Sequence, residues 1–173
     1  MRTTFATLFL MLLVTVAGTT AGQAASETIG QASGLPLPRF VSLKADKVNV
    51  YFGPNKTQEI KWRYQRAGLP VEITGEFENW RRIRDSDGTE GWVYHSLLSG
   101  RRTGVVTLRS KDELLPLRAK PAADSVMSAQ LQSGVLGTVK RCADGWCRII
   151  GKDFDGWLPQ ERLWGVYPNE KVE

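Results

Sequence analysis

Hydrophobic and polar residues alternate in short runs along most of this chain, and nowhere do they recur with a long helical period. Val48-Asn49-Val50 and Val71-Glu72-Ile73-Thr74 each place apolar side chains on one side of an extended strand. Arg82-Ile83-Arg84, the polar stretch Asp85-Ser86-Asp87-Gly88-Thr89 and Gly91-Trp92-Val93-Tyr94 together predict a hairpin. Its Asp-Gly step supplies the positive φ that such turns need. Ser96-Leu97-Leu98 predicts a single helical turn. Gly137-Thr138-Val139-Lys140-Arg141 and Trp146-Cys147-Arg148-Ile149-Ile150 predict two further strands. Five short strands in about 60 residues predict a small, partly open barrel.

The pattern occurs twice. Asn79-Trp80-Arg81-Arg82-Ile83, followed by Gly91-Trp92-Val93, returns as Gly145-Trp146-Cys147-Arg148-Ile149, followed by Gly156-Trp157-Leu158. The first tryptophans of the two stretches are 66 residues apart and the second 65, in a chain with six Trp. Val48-Asn49-Val50 and Gly53-Pro54 match Leu115-Pro116-Leu117 and Lys120-Pro121 at an offset of 67. Gly68-Leu69-Pro70-Val71 matches Gly134-Val135-Leu136-Gly137 at 66, and Leu97 aligns with Leu163. The chain thus carries two copies of one all-β module, over roughly 41–98 and 105–164. Two copies are too few for a solenoid, which needs about three or more units to share a core. Each copy folds alone or pairs with its twin.

The order Val-Asn-Val, Gly-Pro, Gly-Leu-Pro-Val, Asn-Trp, Gly-Trp-Val is similar to that of bacterial Src-homology-3 (SH3) domains. The run from Gly75 through Asn79-Trp80 and Glu90-Gly91-Trp92-Val93 to Arg101-Arg102 resembles the tandem type found in exported proteins of proteobacteria, as does the ending Leu163-Trp164-Gly165-Val166-Tyr167. The resemblance covers nearly all of 39–168. It implies an all-β fold of two tandem SH3-like small barrels, 39–101 and 102–168, with 169–173 as a tail. One departure stands out. The family usually has Arg-Ser or Arg-Ala after Val-Asn-Val, and this chain has Tyr51-Phe52.

The beginning of the chain reads differently. Arg2, the apolar run Phe5 to Val16 and the small residues Ala17 to Ala25 predict a secretory signal peptide over 1–24, cleaved near Ala24. An uncleaved anchor is the alternative, although the run is shorter than the roughly 20 residues of a membrane span. Residues 25–38, rich in Ala, Ser, Gly and Pro, predict a flexible lead-in. The expected location is periplasmic or secreted, with no stable membrane insertion after cleavage. The formal charge is +5, and loss of Arg2 with the leader leaves +4.

The two cysteines, Cys142 and Cys147, flank Ala143-Asp144-Gly145-Trp146, a four-residue hairpin tip that would set them opposite each other. Export favours a disulfide there. The spacing is not the Cys-x-x-Cys of a redox pair, and one His with two Cys falls short of the four ligands of a structural zinc site. No metal or cofactor is expected. Catalysis is not expected either. The single His95 sits at a predicted strand end, both Cys lie in the other repeat, and the carboxylates Asp85, Asp87, Glu90, Asp153 and Asp155 are explained by turn geometry.

Binding is what remains. Strict alternation puts Ile83 and Val93 in the core and Trp80, Arg82, Arg84, Trp92 and Tyr94 on the opposite face. In register, these five would form an aromatic floor edged by two guanidinium groups. In eukaryotic relatives of the fold such a floor receives proline-rich peptides. Two other placements stay open: the rings pack against the second unit, or a bulge turns Trp80 into the core. The resemblance points to peptidoglycan or a cell-envelope protein as partner. Nucleic acid is not expected, because export removes it and the charge is modest.

Overall fold

The computed structural model describes residues 28–110 and 112–173. The expected signal peptide lies outside the described residues. A short hairpin, β1 (Thr28–Ile29) and β2 (Pro36–Leu37), opens the described chain. The first domain follows with β3 (Arg39–Leu43), β4 (Val48–Tyr51), β5 (Ile60–Tyr64), β6 (Pro70–Phe77), β7 (Trp80–Arg84), β8 (Glu90–Tyr94), a 3₁₀ turn (His95–Leu97) and β9 (Leu98–Ser99). The second repeats it with β10 (Thr103–Val106), β11 (Leu115–Arg118), β12 (Met127–Leu131), β13 (Leu136–Ala143), β14 (Trp146–Ile150), β15 (Asp155–Pro159), a 3₁₀ turn (Gln160–Arg162) and β16 (Leu163–Trp164). Strand order is β5-β4-β8-β7-β6-β3-β9 in one sheet and β12-β11-β15-β14-β13-β10-β16 in the other, the same topology strand for strand. The fold is all-β, two SH3-like domains in tandem. No helix among the described residues is long and apolar enough to cross a membrane.

Each domain has its own core. Ile83 and Val93 are fully buried with Val48, Val50 and Val71. Ile149 and Leu158 are fully buried with Leu117 and Val106. These are the core positions that alternation predicts. The strand β5, not among the predicted strands, alternates Ile60, Trp62 and Tyr64 with Lys61 and Arg63. Its pairing with β4 makes it a strand. The repeat offset falls from 66 to 65 because five residues join β7 to β8 and four join β14 to β15. The counterpart of Leu163 is consequently Leu98, not Leu97: Leu98 pairs with Leu43 as Leu163 pairs with Val106.

From residue 28 on, the lead-in predicted as flexible is instead tied down. Ala32 N–H, Ser33 N–H and the Ser33 hydroxyl all donate to the Glu76 carboxylate, at 3.0, 3.0 and 2.7 Å. The acceptor lies 43 residues away in sequence, so composition alone does not reveal it. The tail is tied as well. Val172 exchanges both backbone hydrogen bonds with Cys142, at 2.9 and 3.1 Å.

Three residues separate β9 from β10, and the domains pack closely. Thr103 donates to the Gly68 carbonyl at 2.6 Å, and its hydroxyl lies 2.7 Å from that of Ser42. Phe40 meets Trp164 edge-on and Tyr167 at a tilt, with centroids 5.0 and 4.7 Å apart. Trp164 donates its indole N–H to the Pro70 carbonyl at 3.3 Å. The Tyr167 hydroxyl donates to Glu72 at 2.9 Å. Glu72 is almost completely buried, and burial together with that carboxylate raises the Tyr167 pKa.

Candidate ligand-binding face

Strands β7 and β8 set the geometry of the predicted face. Trp80 pairs with Tyr94, Arg82 with Trp92 and Arg84 with Glu90, so the five expected residues do share one side of the sheet. What covers them differs from the expectation. Trp80 was expected to face outward, yet it is only 7 % exposed. It is covered by Tyr51 and Tyr94, whose rings meet it edge-to-face with centroids 5.4 and 5.5 Å away. Tyr94 lies directly across the hairpin. Tyr51 reaches the indole from β4, on the far side of β8, so no local pattern reveals the contact. Neither a bulge at Trp80 nor the second domain is responsible.

The other expected members separate. Trp92 is half-buried on the same side, but the ring contacts of Trp80 are with Tyr51 and Tyr94. Arg82 is drawn into an ion pair with Glu90 beside it. Arg84 turns away from the rings and donates to Glu72, its Nε at 2.8 Å. That carboxylate holds the Arg84 pKa above its ordinary value. Arg84 thus belongs to the contact between domains. The guanidinium edge predicted for the floor is absent because both groups have closer acids.

Other cations take its place. Trp80 and Tyr94 line two shallow troughs, and Tyr51 lines the smaller of them. One, of about 290 Å³, is lined also by Lys47, Asn49, Lys56, Arg63 and Leu97. The other, of about 430 Å³, runs past Pro54, Asn55, Lys56, Phe77 and Glu78. Lys56 borders both, with its ammonium 5.3 Å from the centroid of the Tyr94 ring. Sequence reasoning missed Tyr51, Lys47, Lys56 and Arg63 as members of this face. A signal existed at Tyr51, where the chain departs from the Arg usual after Val-Asn-Val.

The cysteines are bonded, Cys142 to Cys147, as expected, across a register pair with Cα atoms 4.1 Å apart. The turn between them is a two-residue tip, Asp144-Gly145, with φ of 52° and 78°. His95 is exposed at the start of the 3₁₀ turn, beside the Tyr94 ring. Among the described residues no three His, Cys, Asp or Glu side chains gather in a way that would hold a metal ion.

The model of the family described as "Bacterial SH3 domain" matches residues 44–100 and again 111–165, well over half of the chain. The chain belongs to the bacterial SH3 domain family. No curated protein matches it. Among solved structures, those of NlpC1 and NlpC2 from Trichomonas vaginalis are similar, each at 13 % identity, with TM-scores of 0.34 and 0.33. The matches cover 78 and 73 % of this chain and 48 % of each of those chains, so this bacterial SH3 chain corresponds to about half of their length. Likeness at that level carries no statement about activity.

Proposed function

We propose that this protein is a non-catalytic adaptor of the cell envelope, which contacts peptidoglycan or an envelope protein through the aromatic groove of its first domain. The observation that carries the reading is the Tyr51–Trp80–Tyr94 cluster. Three aromatic rings interlock edge-to-face on the outside of a barrel, with open troughs on either side, instead of filling the core. Recognition surfaces favour such rings because they offer large apolar area with few rotors to freeze. Membership of the bacterial SH3 family supports a binding role in general terms. The disulfide suits an oxidising compartment, in line with the signal peptide expected from the sequence. A chain with one His and both Cys bonded has little to offer nucleophilic catalysis.

The test compares wild type with Tyr51→Ala/Tyr94→Ala in co-sedimentation with purified sacculi and in periplasmic photo-crosslinking from position 56. The double variant keeps the buried cores and should keep its far-ultraviolet spectrum while losing the sacculus pellet or the cross-linked partner. A wild type that neither pellets nor cross-links ends this reading.

A further inference from the structure

The charges around the groove do not fit a basic ligand. Within the first domain, Arg39 and Arg81 are paired with Glu76, Arg82 with Glu90 and Arg84 with Glu72. Lys47, Lys56 and Arg63 are different: among the described residues none has a carboxylate within ion-pair distance, and all three line the smaller trough. That trough has no acid in its lining. Arg63 is steered by the amide of Asn49, which accepts from its Nε at 2.6 Å. Lys56 rests on the Tyr94 ring. Both cations are positioned by neutral partners, which leaves their charge uncompensated.

The second domain shows that these charges are not a requirement of the fold. Register places Leu114, Ala123 and Gln130 where the first domain has Lys47, Lys56 and Arg63. Arg118 stands in place of Tyr51, and its guanidinium donates to the Ser125 carbonyl at 2.9 Å. Pro159 replaces Tyr94 opposite the tryptophan. The rings and the free cations therefore occur together in one copy and are lost together in the other.

The two troughs also differ from each other. Beyond Lys56, the larger one is edged by Pro54 and by Phe77, which is 51 % exposed, and Glu78 also lines it without forming an ion pair with Lys56. One side of the floor is thus cationic and the other apolar. We infer that the groove takes an extended acidic peptide of a partner protein, with carboxylates between Lys47, Lys56 and Arg63 and an apolar side chain against Pro54 and Phe77. This inference rests on the binding reading above and narrows it to one ligand class. Long, shallow and bipartite, the surface fits an extended chain better than a compact anion, and charge complementarity gives both selectivity and rapid encounter.

The test uses fluorescence anisotropy of labelled, end-capped nonapeptides on the full chain. One peptide alternates Glu with Leu and Pro, and a second has Lys at every Glu. The Glu peptide should bind saturably and weaken as salt rises. The Lys peptide should not bind. Replacing Lys47, Lys56 or Arg63 singly with Gln should weaken binding about three- to fivefold, and the triple variant about thirtyfold or more. All three are exposed, so the variants should fold. Phe77→Ser should weaken binding of the Glu peptide while leaving its salt dependence unchanged. Equal binding of the two peptides, no binding of the Glu peptide, or full affinity in the triple variant overturns the inference. If the triple variant loses sacculi yet the Glu peptide never binds, the carboxylates belong to wall stem peptides. The partner-protein assignment then fails while the adaptor reading stands.

Discussion

The two domains solve the same structural problem at one position by different chemistry. Glu76 and Arg81 face each other across β6 and β7; Cys142 and Cys147 occupy the same two places across β13 and β14. In the first domain the cross-strand tie is an ion pair at 3.3 Å, with the Glu76 side chain 1 % exposed. In the second it is a covalent bond. Each tie also receives a terminal segment: the β1–β2 hairpin on Glu76, and Val172 on Cys142. A carboxylate has acceptor capacity for several donors, so Glu76 can serve Ser33, Arg39 and Arg81 together. A disulfide offers nothing comparable, and the tail binds the backbone of Cys142 instead. An electrostatic clamp and a redox clamp therefore fail under different conditions.

The largest effect is expected at Glu76. Glu76→Gln leaves Arg39 and Arg81 without their carboxylate and should cost about 3 kcal/mol, as when one partner of a buried pair is removed. A urea midpoint shifted at unchanged slope measures it, and faster hydrogen exchange in 28–38 locates it. A loss under about 1 kcal/mol would show that the clamp is not electrostatic.

The same carboxylate sets a pH dependence. Burial works against its ionisation, but Ser33, Arg39 and Arg81 outweigh that and lower its pKa from 4.5 to about 2. A folded pKa below the unfolded one stabilises the protein above pH 4.5, and the gain fades as pH falls from there through about 2. The stability difference between wild type and Glu76→Gln should shrink over that window. Acid also reaches the tail, since Arg102 holds the Glu170 pKa below its ordinary value against the effect of burial. The Cys142–Cys147 tie itself does not titrate, so the β13–β14 hairpin should keep its protection in acid.

Reduction is the complementary break. Cys142→Ser/Cys147→Ser should cost about 2 kcal/mol, the chain-entropy value for so short a loop. It should loosen the tail around Val172 and leave 28–38 protected. With the clamps exchanged, Glu76→Cys/Arg81→Cys should be oxidised to a disulfide by dissolved oxygen, seen as loss of two hydrogens by mass, without restoring the hairpin on β6.

Smaller effects test the contact between domains. Tyr167→Phe removes one hydrogen bond to the buried Glu72, which retains Arg84, and should cost about 1 kcal/mol by thermal melting. Arg148 and Asp155 form in the second domain the same diagonal pair that Arg82 and Glu90 form in the first. Both members are well exposed, and Arg148→Ala should leave the melting temperature unchanged within error. A clear drop would give surface pairing a weight that neither domain suggests.

The duplication, the all-β class and the side of the sheet on which each residue lies are legible in residue order alone. Those follow from a period of two and from turn residues, which are local properties. Ile83, Val93, Ile149 and Leu158 were legible as core for that reason, and so was the cystine across a hairpin tip. Tertiary structure decided what lies over each face. Trp80 is covered because Tyr51 arrives from beyond β8. Arg84 is taken by Glu72 at the domain contact, and residues 28–38 are fixed by a carboxylate distant in sequence. Alternation fixes which way a side chain points. Only packing between segments far apart in the chain fixes what it meets there, and the candidate groove is made of such meetings.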